Sequence, residues 1–242
     1  MSEKEQRGLS NECLPSAAEH RAPHRRQPHP YVAVDVVVFA LGADGLKALL
    51  VKIAQGPLSG AWAFPGGFVG LDESPDAAAA REVHDHTGIR NVHLEQLYTF
   101  GGPDRDPRSR VVSVAYIALA RGGERAPHHS TKYGEATWFA VRRLPPLAYD
   151  HGRIARMALA RLRAKLAYTN IVCNLLPPTF TLTELQHTYQ AVLARRLDRR
   201  NFRRKLLALG LLTRRPGARR GNHRPAALYA FRRRSPIVIS IL

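Results

Sequence analysis

At 242 residues the chain is long enough for two ordinary domains, and its 45% hydrophobic content supplies each with a core, which excludes a wholly disordered protein. The net charge of +18 is confined to one end: residues 1–150 hold 17 basic and 17 acidic side chains, whereas residues 151–242 hold 20 basic ones against Glu184 and Asp198 alone. No run approaches the roughly 20 apolar residues of a membrane span or a signal-peptide core, and Cys13 and Cys173 match neither a zinc nor a dithiol spacing, so the expectation is a cytoplasmic protein with no membrane partner and, in its second half, a polyanionic one. In chain order, residues 1–30 combine His20, His24 and His29 with Pro23, Pro28 and Pro30 and read as a flexible tail. From Tyr31 the texture changes. YVAVDVVVFA and LKALLVKI read as hairpin strands across Gly42-Ala43-Asp44-Gly45, and further strands are expected over 92–100, 111–119 and 136–141. Between them Ser74 as N-cap, Pro75 at the first position, Asp76 in the first turn and Gly88 as the stop predict a helix over 75–87.

The segment Gly67 to Ile89 reads GFVGLDESPDAAAAREVHDHTGI. It resembles the Nudix box, with Gly67, Glu73, Arg81, Glu82, Val83, Gly88 and Ile89 in register. The resemblance implies an α/β sandwich over residues 31–149 and a structural ion pair between Glu73 and Arg81. On a helix, positions 82, 85 and 86 fall at about 0°, 300° and 40°, on one face where three carboxylates would gather divalent cations. Here that face reads Glu82, Asp85, His86. Asp85 is shorter by about one methylene, roughly 1.5 Å, and imidazole is a poor ligand for Mg²⁺. Glu82 and Asp85 therefore remain as candidates for a weakened Mg²⁺ site, and two readings stay open: an impaired pyrophosphatase, and a binding module that keeps the pocket without the reaction. In the loop GGPDRDPRSR, Arg105, Arg108 and Arg110 are placed to clamp phosphates, and Phe100 at the preceding strand end is placed to stack on a base. With Arg81 and Glu82 these form the expected ligand site, while Trp62 and Phe64 read as core.

A helical pattern through Ile154, Met157, Ala158, Arg161, Leu162 and Leu166 predicts a connector over 150–167. In the basic half that follows, Thr181 and Glu184 form a capping-box pattern for TLTELQHTYQAVL, with Leu182, Leu185, Tyr189 and Val192 on its apolar face. Asp198 then caps a helix that Gly210 ends, a helix-turn-helix spacing, and LLTRR and AALYAF flank PGARRGNHRP as a hairpin wing would. Phe202, Leu206 and Leu209 mark the core side of the second helix, leaving Arg200, Asn201, Arg203 and Arg204 outward. Arg and Asn read guanine and adenine edges bidentately. Arg200 and Arg204 are therefore expected toward bases, and Arg199, Arg203, Arg214, Arg215, Arg219 and Arg220 toward phosphates; nonspecific phosphate contact by all of them is the bland alternative.

A Nudix-like domain followed by FTLTELQ and LDRRNFRRKLLALGLL resembles the Nudix-related transcriptional regulator family, NrtR, over about residues 31–231. The resemblance implies a mostly α winged helix-turn-helix domain over 168–234 and a homodimer repressing genes of NAD metabolism. It also implies a pocket sensing ADP-ribose or a related metabolite, operator DNA as partner, and no cofactor required for DNA binding. Residues 235–242 lie outside it and read as a C-terminal tail. The rival from the enzyme class is an active ADP-ribose pyrophosphatase that uses Glu82, Asp85 and a further carboxylate such as Glu124 or Glu135. An RNA-processing Nudix protein is a third, weaker reading.

Overall fold

A computed structural model describes residues 29–88, 92–121, 133–219 and 225–238. The spine of the first half is β1 (Tyr31–Gly42), whose β-branched run is buried on both faces as a central strand requires. It turns through Ala43-Asp44 into antiparallel β2 (Gly45–Ile53). On its other side it runs parallel to β6 (Val111–Leu119), which pairs antiparallel with β5 (His93–Phe100). The short β3 (Trp62–Ala63) and β7 (Tyr133–Ala140) flank β2, while β4 (Gly66–Phe68) pairs with the start of β1. A two- or three-residue strand such as β3 or β4 carries no legible period in sequence. β7 ends one residue earlier than expected, because Val141–Arg143 tightens into a 3-10 turn.

Strand parity sorts the core into two layers. Val34, Val36, Val38 and Ala40 face α1 (Pro75–Thr87) through Ala78, Ala79 and Val83, and Val37 and Phe39 face α2 (His151–Tyr168). The ends of α1 follow the cap chemistry: Ser74 Oγ accepts the Ala77 N–H at 3.2 Å, and Gly88 takes the left-handed φ of 65° that closes the helix.

The expected connector is more deeply built in than a linker. Ile154, Ala158, Leu162 and Leu166 of α2 are fully buried in one apolar cluster that runs from Val37, Phe39 and Leu50 to Phe180, Tyr189, Phe202 and Phe231. Burying each aliphatic side chain contributes at most about 1.5–3 kcal/mol, so α2 belongs to the cores of both halves.

Beyond α2 stand α3 (Leu182–Leu193) and α4 (Arg199–Ala208), followed by the hairpin β8 (Leu212–Arg219) and β9 (Ala226–Phe231). Thr181 and Glu184 complete the capping box at 3.1 and 2.7 Å, and Asp198 Oδ1 accepts the Asn201 N–H at 2.8 Å. The turn between the helices is pinned from α3, where Gln190 accepts the Leu197 N–H at 2.8 Å and Gln186 donates to the Leu197 carbonyl at 3.0 Å. Phe180 pairs with Tyr229 as a third short strand of the wing. Residues 235–238, expected as part of a tail, are instead strapped down: Asn170 donates to the Ser235 carbonyl and accepts the Ile237 N–H, and Val238 bridges Thr169. Residues 1–28 and 239–242 lie outside the described residues.

Candidate functional site

At one end of the first domain a cavity of about 320 Å³ opens between β1, β4, the 101–110 loop and the start of α2. Parity puts Asp35 on the α2 side of β1, in line with Val37 and Phe39, where a carboxylate must be paired. Ser113 Oγ donates to its Oδ2 at 2.6 Å and Arg105 Nη2 to the same oxygen at 2.9 Å. The Phe64 N–H donates to His151 Nδ1 at 2.9 Å, and the ring's Nε2 lies 3.2 Å from Asp35 Oδ1. Burial pushes the Asp35 carboxyl up, but His151, Arg105 and Ser113 outweigh it and hold it well below the usual carboxylate range. Gly66 closes this wall because a Cβ there would meet the Val34 carbonyl at 2.4 Å.

The expected arginine clamp takes another form. Arg105 does reach the cavity, but its guanidinium is buried and spent on protein carboxylates, Nη2 lying 2.8 Å from Asp150 Oδ1 and Nε 3.3 Å from Asp150 Oδ2. Arg108 grips Asp106 with both prongs of its fork, at 3.0 and 2.8 Å, and lies over the Tyr149 ring at 5.7 Å. Arg110 turns back onto the carbonyls of Gly102 and Val111. Phe100 is buried in the core with the Arg153 guanidinium over its ring, which removes it as a stacking platform; the exposed aromatic of that strand end is Tyr98. Of the three arginines, Arg105 and Arg108 therefore line the cavity, with Asp35, Tyr149 and His151, which carried no sequence signal.

The helix of the box departs from expectation in a related way. Arg81 does not line the cavity and serves as a structural tie, donating to Glu73 at 2.6 and 3.1 Å, to Glu82 Oε1 at 2.6 Å and to the Phe68 carbonyl at 3.2 Å. The Glu73 pairing agrees with the ion pair that the motif implied. Glu82 and His86, one turn apart, are both buried and face each other at 3.3 Å between Oε2 and Nε2. Asp85, half exposed, points away toward His84. The three side chains do not converge, and both oxygens of Glu82 are already engaged. Among the described residues no three His, Cys, Asp or Glu side chains gather at one point, and with Glu82 held by Arg81 and His86 and Asp85 turned outward the three-carboxylate face of the motif is not formed here. Glu135 lies on β7 beside Lys52, 3.7 Å away, and Glu124 falls outside the described residues.

The second surface belongs to α4 and the wing. Phe202 and Leu206 pack inward, and Arg199, Arg200, Asn201 and Arg204 are exposed, with Arg204 Nη2 held 2.8 Å from Asn201 Oδ1. Arg203, partly exposed, leans on α3 and donates to Thr183 Oγ1 at 2.8 Å. In the wing Arg214 and Arg215 are exposed, whereas Arg219 is tied to Glu184 at 3.0 Å. Arg220 lies outside the described residues. Arg195 and Arg196, exposed in the turn before α4, extend the basic surface and were missed because they precede the cap that marked the helix. No helix among the described residues is long and apolar enough to cross a membrane.

A family model for the NUDIX domain matches residues 30–159, and one for the NrtR DNA-binding winged helix domain matches residues 172–231. The chain is 36% identical over 208 residues to the ADPR responsive transcriptional repressor NtrR of Acinetobacter baylyi, covering 84% of this chain and 83% of that one. The crystal structure of Shewanella oneidensis NrtR complexed with a 27mer DNA superposes with a TM-score of 0.72 at 31% identity, over 83% of this chain and 93% of that one. The NUDIX domain of the same Shewanella protein complexed with ADP ribose matches at a TM-score of 0.54 and 31% identity, over 61% of this chain and 99% of that one.

Proposed function

The chain belongs to the NrtR family of Nudix-related transcriptional regulators, and on that premise we propose that it is a homodimeric cytoplasmic repressor of NAD-metabolism genes. Its winged helix binds operator DNA, and its Nudix domain senses ADP-ribose without hydrolysing it. The observation that carries this reading is the exposed face of α4, where Arg200, Asn201 and Arg204 project from a helix whose other side is anchored by Phe202 and Leu206. Guanidinium and amide groups so placed suit base edges in a major groove, with Arg199, Arg214 and Arg215 toward phosphates. The names of the Acinetobacter repressor and of the Shewanella complexes with DNA and with ADP ribose support both partners. The sensor reading is supported by the engaged Glu82 and the outward Asp85. Neither partner calls on a metal in this scheme.

Binding-site selection with the purified full chain tests the function. A palindromic motif, released by ADP-ribose, is the expected outcome; duplex binding without sequence preference would overturn it.

A further inference from the structure

Asp150 stands at the N-cap of α2, a position where an aspartate ordinarily accepts a hydrogen bond from its own helix. Here it makes no such cap. Its carboxylate is turned to Arg105 instead, at 2.8 and 3.3 Å, and one guanidinium nitrogen of Arg105 is shared with Asp35 at 2.9 Å. The next residue, His151, holds Asp35 from the other side at 3.2 Å. The residue before, Tyr149, adopts a φ of 53°, a left-handed conformation that persists in a non-glycine residue only when its surroundings enforce it. The first turn of α2 is thus drawn against the cavity wall by ionic contacts, at the expense of its own cap.

The far end of the same helix is fixed to the winged helix, where Leu162 and Leu166 lie in the shared core and Arg163 Nε donates to the Val192 carbonyl of α3 at 2.9 Å. An 18-residue helix is a rigid rod of about 27 Å, so a change at its start is carried to α3 and α4.

We propose that Arg105 is the positioning residue of the switch: a diphosphate-bearing ligand in the cavity draws its guanidinium away from Asp150, which then turns to cap α2 and frees the helix to shift. The proposal rests on the reading that ADP-ribose enters this cavity. It requires a phosphate group to compete with carboxylates for one guanidinium fork, which the geometry of both anions permits. Asp150 has two alternative partners, and ligand decides between them.

The test measures operator affinity of the full-length protein with and without saturating ADP-ribose, and ADP-ribose affinity, at one salt concentration. Wild type is expected to lose operator affinity by about 5- to 150-fold with ligand. In Asp150→Asn the amide no longer competes for Arg105, so ADP-ribose should bind as tightly or more tightly while the loss of operator affinity shrinks toward onefold. Arg105→Lys, which keeps the charge but not the fork, should shrink it as well while weakening ligand binding, and it serves if Asp150→Asn does not fold. A merely structural role for Asp150 would lower the melting temperature and leave the ligand effect on DNA unchanged, and that result overturns the proposal. Absence of any ligand effect in wild type would overturn the sensor reading together with it, whereas antagonism retained in both variants overturns the switch alone.

Discussion

Asp35 shares the face of β1 with Val37 and Phe39, so strand parity sets a carboxylate in an apolar layer, and its stability depends on the partners that meet it there. Because the folded-state carboxyl is held below its ordinary value, the stabilisation it brings is complete above the unfolded value, about pH 4, and fades as pH falls toward the folded one. Asp35→Asn should therefore be destabilising at pH 7, with the gap from wild type in urea melts narrowing below about pH 4. A gap that is constant with pH would show that the carboxylate charge is not what stabilises the site. A second consequence attaches to Glu82, whose oxygens face Arg81 and His86. Incubation of the protein with ADP-ribose and Mg²⁺, followed by chromatography, should show no appreciable AMP. AMP release abolished by Glu82→Gln would refute the sensor reading and restore the pyrophosphatase.

Among the elements, α2 and α4 carry the sharpest expectations. Leu162→Ala, in the middle of the shared cluster, should cost about 2–5 kcal/mol and lower the stability of both halves in a single transition; two separated transitions in urea would show the cores to be independent. On α4 and the wing, Arg200→Ala or Arg204→Ala should cost about 1–3 kcal/mol and relax preference at particular bases, while Arg214→Ala weakens every sequence alike. Equal losses on operator and random duplex for all three would refute that division. The elements themselves were largely legible, because each announces its ends chemically: Ser74 and Gly88 for α1, Thr181 with Glu184 for α3, Asp198 for α4. The cavity was not. Asp35, Arg105, Asp150 and His151 are joined only by pairings between β1, a loop and a helix start, and no local period encodes such distant contacts. For the same reason helical spacing does not show that Arg203 meets Thr183 on the neighbouring helix. Side-chain direction at 85 and 86 likewise depended on burial as well as angle, His86 turning inward to Glu82 while Asp85 turned to solvent.

For the molecule as a whole, charge and core divide differently. All the excess charge lies beyond residue 150, yet the apolar cluster crosses that point through α2, so the boundary in charge is not a boundary in packing. With several phosphate contacts per protomer, operator affinity should fall by orders of magnitude between about 50 and 200 mM salt. In the proposed C2 dimer two α4 helices must reach half-sites about one DNA turn apart, roughly 34 Å, so a small displacement of α2 would take one of them out of register. A ligand that favours the displaced arrangement then weakens operator binding by the same factor by which operator weakens ligand binding, a coupling of about 1–3 kcal/mol. The two effects are one free energy measured from either side. Titrating ADP-ribose into the protein with and without saturating operator, and operator with and without saturating ADP-ribose, should return equal factors; identical ligand affinity in the presence and absence of operator would mean that the cavity and α4 do not communicate.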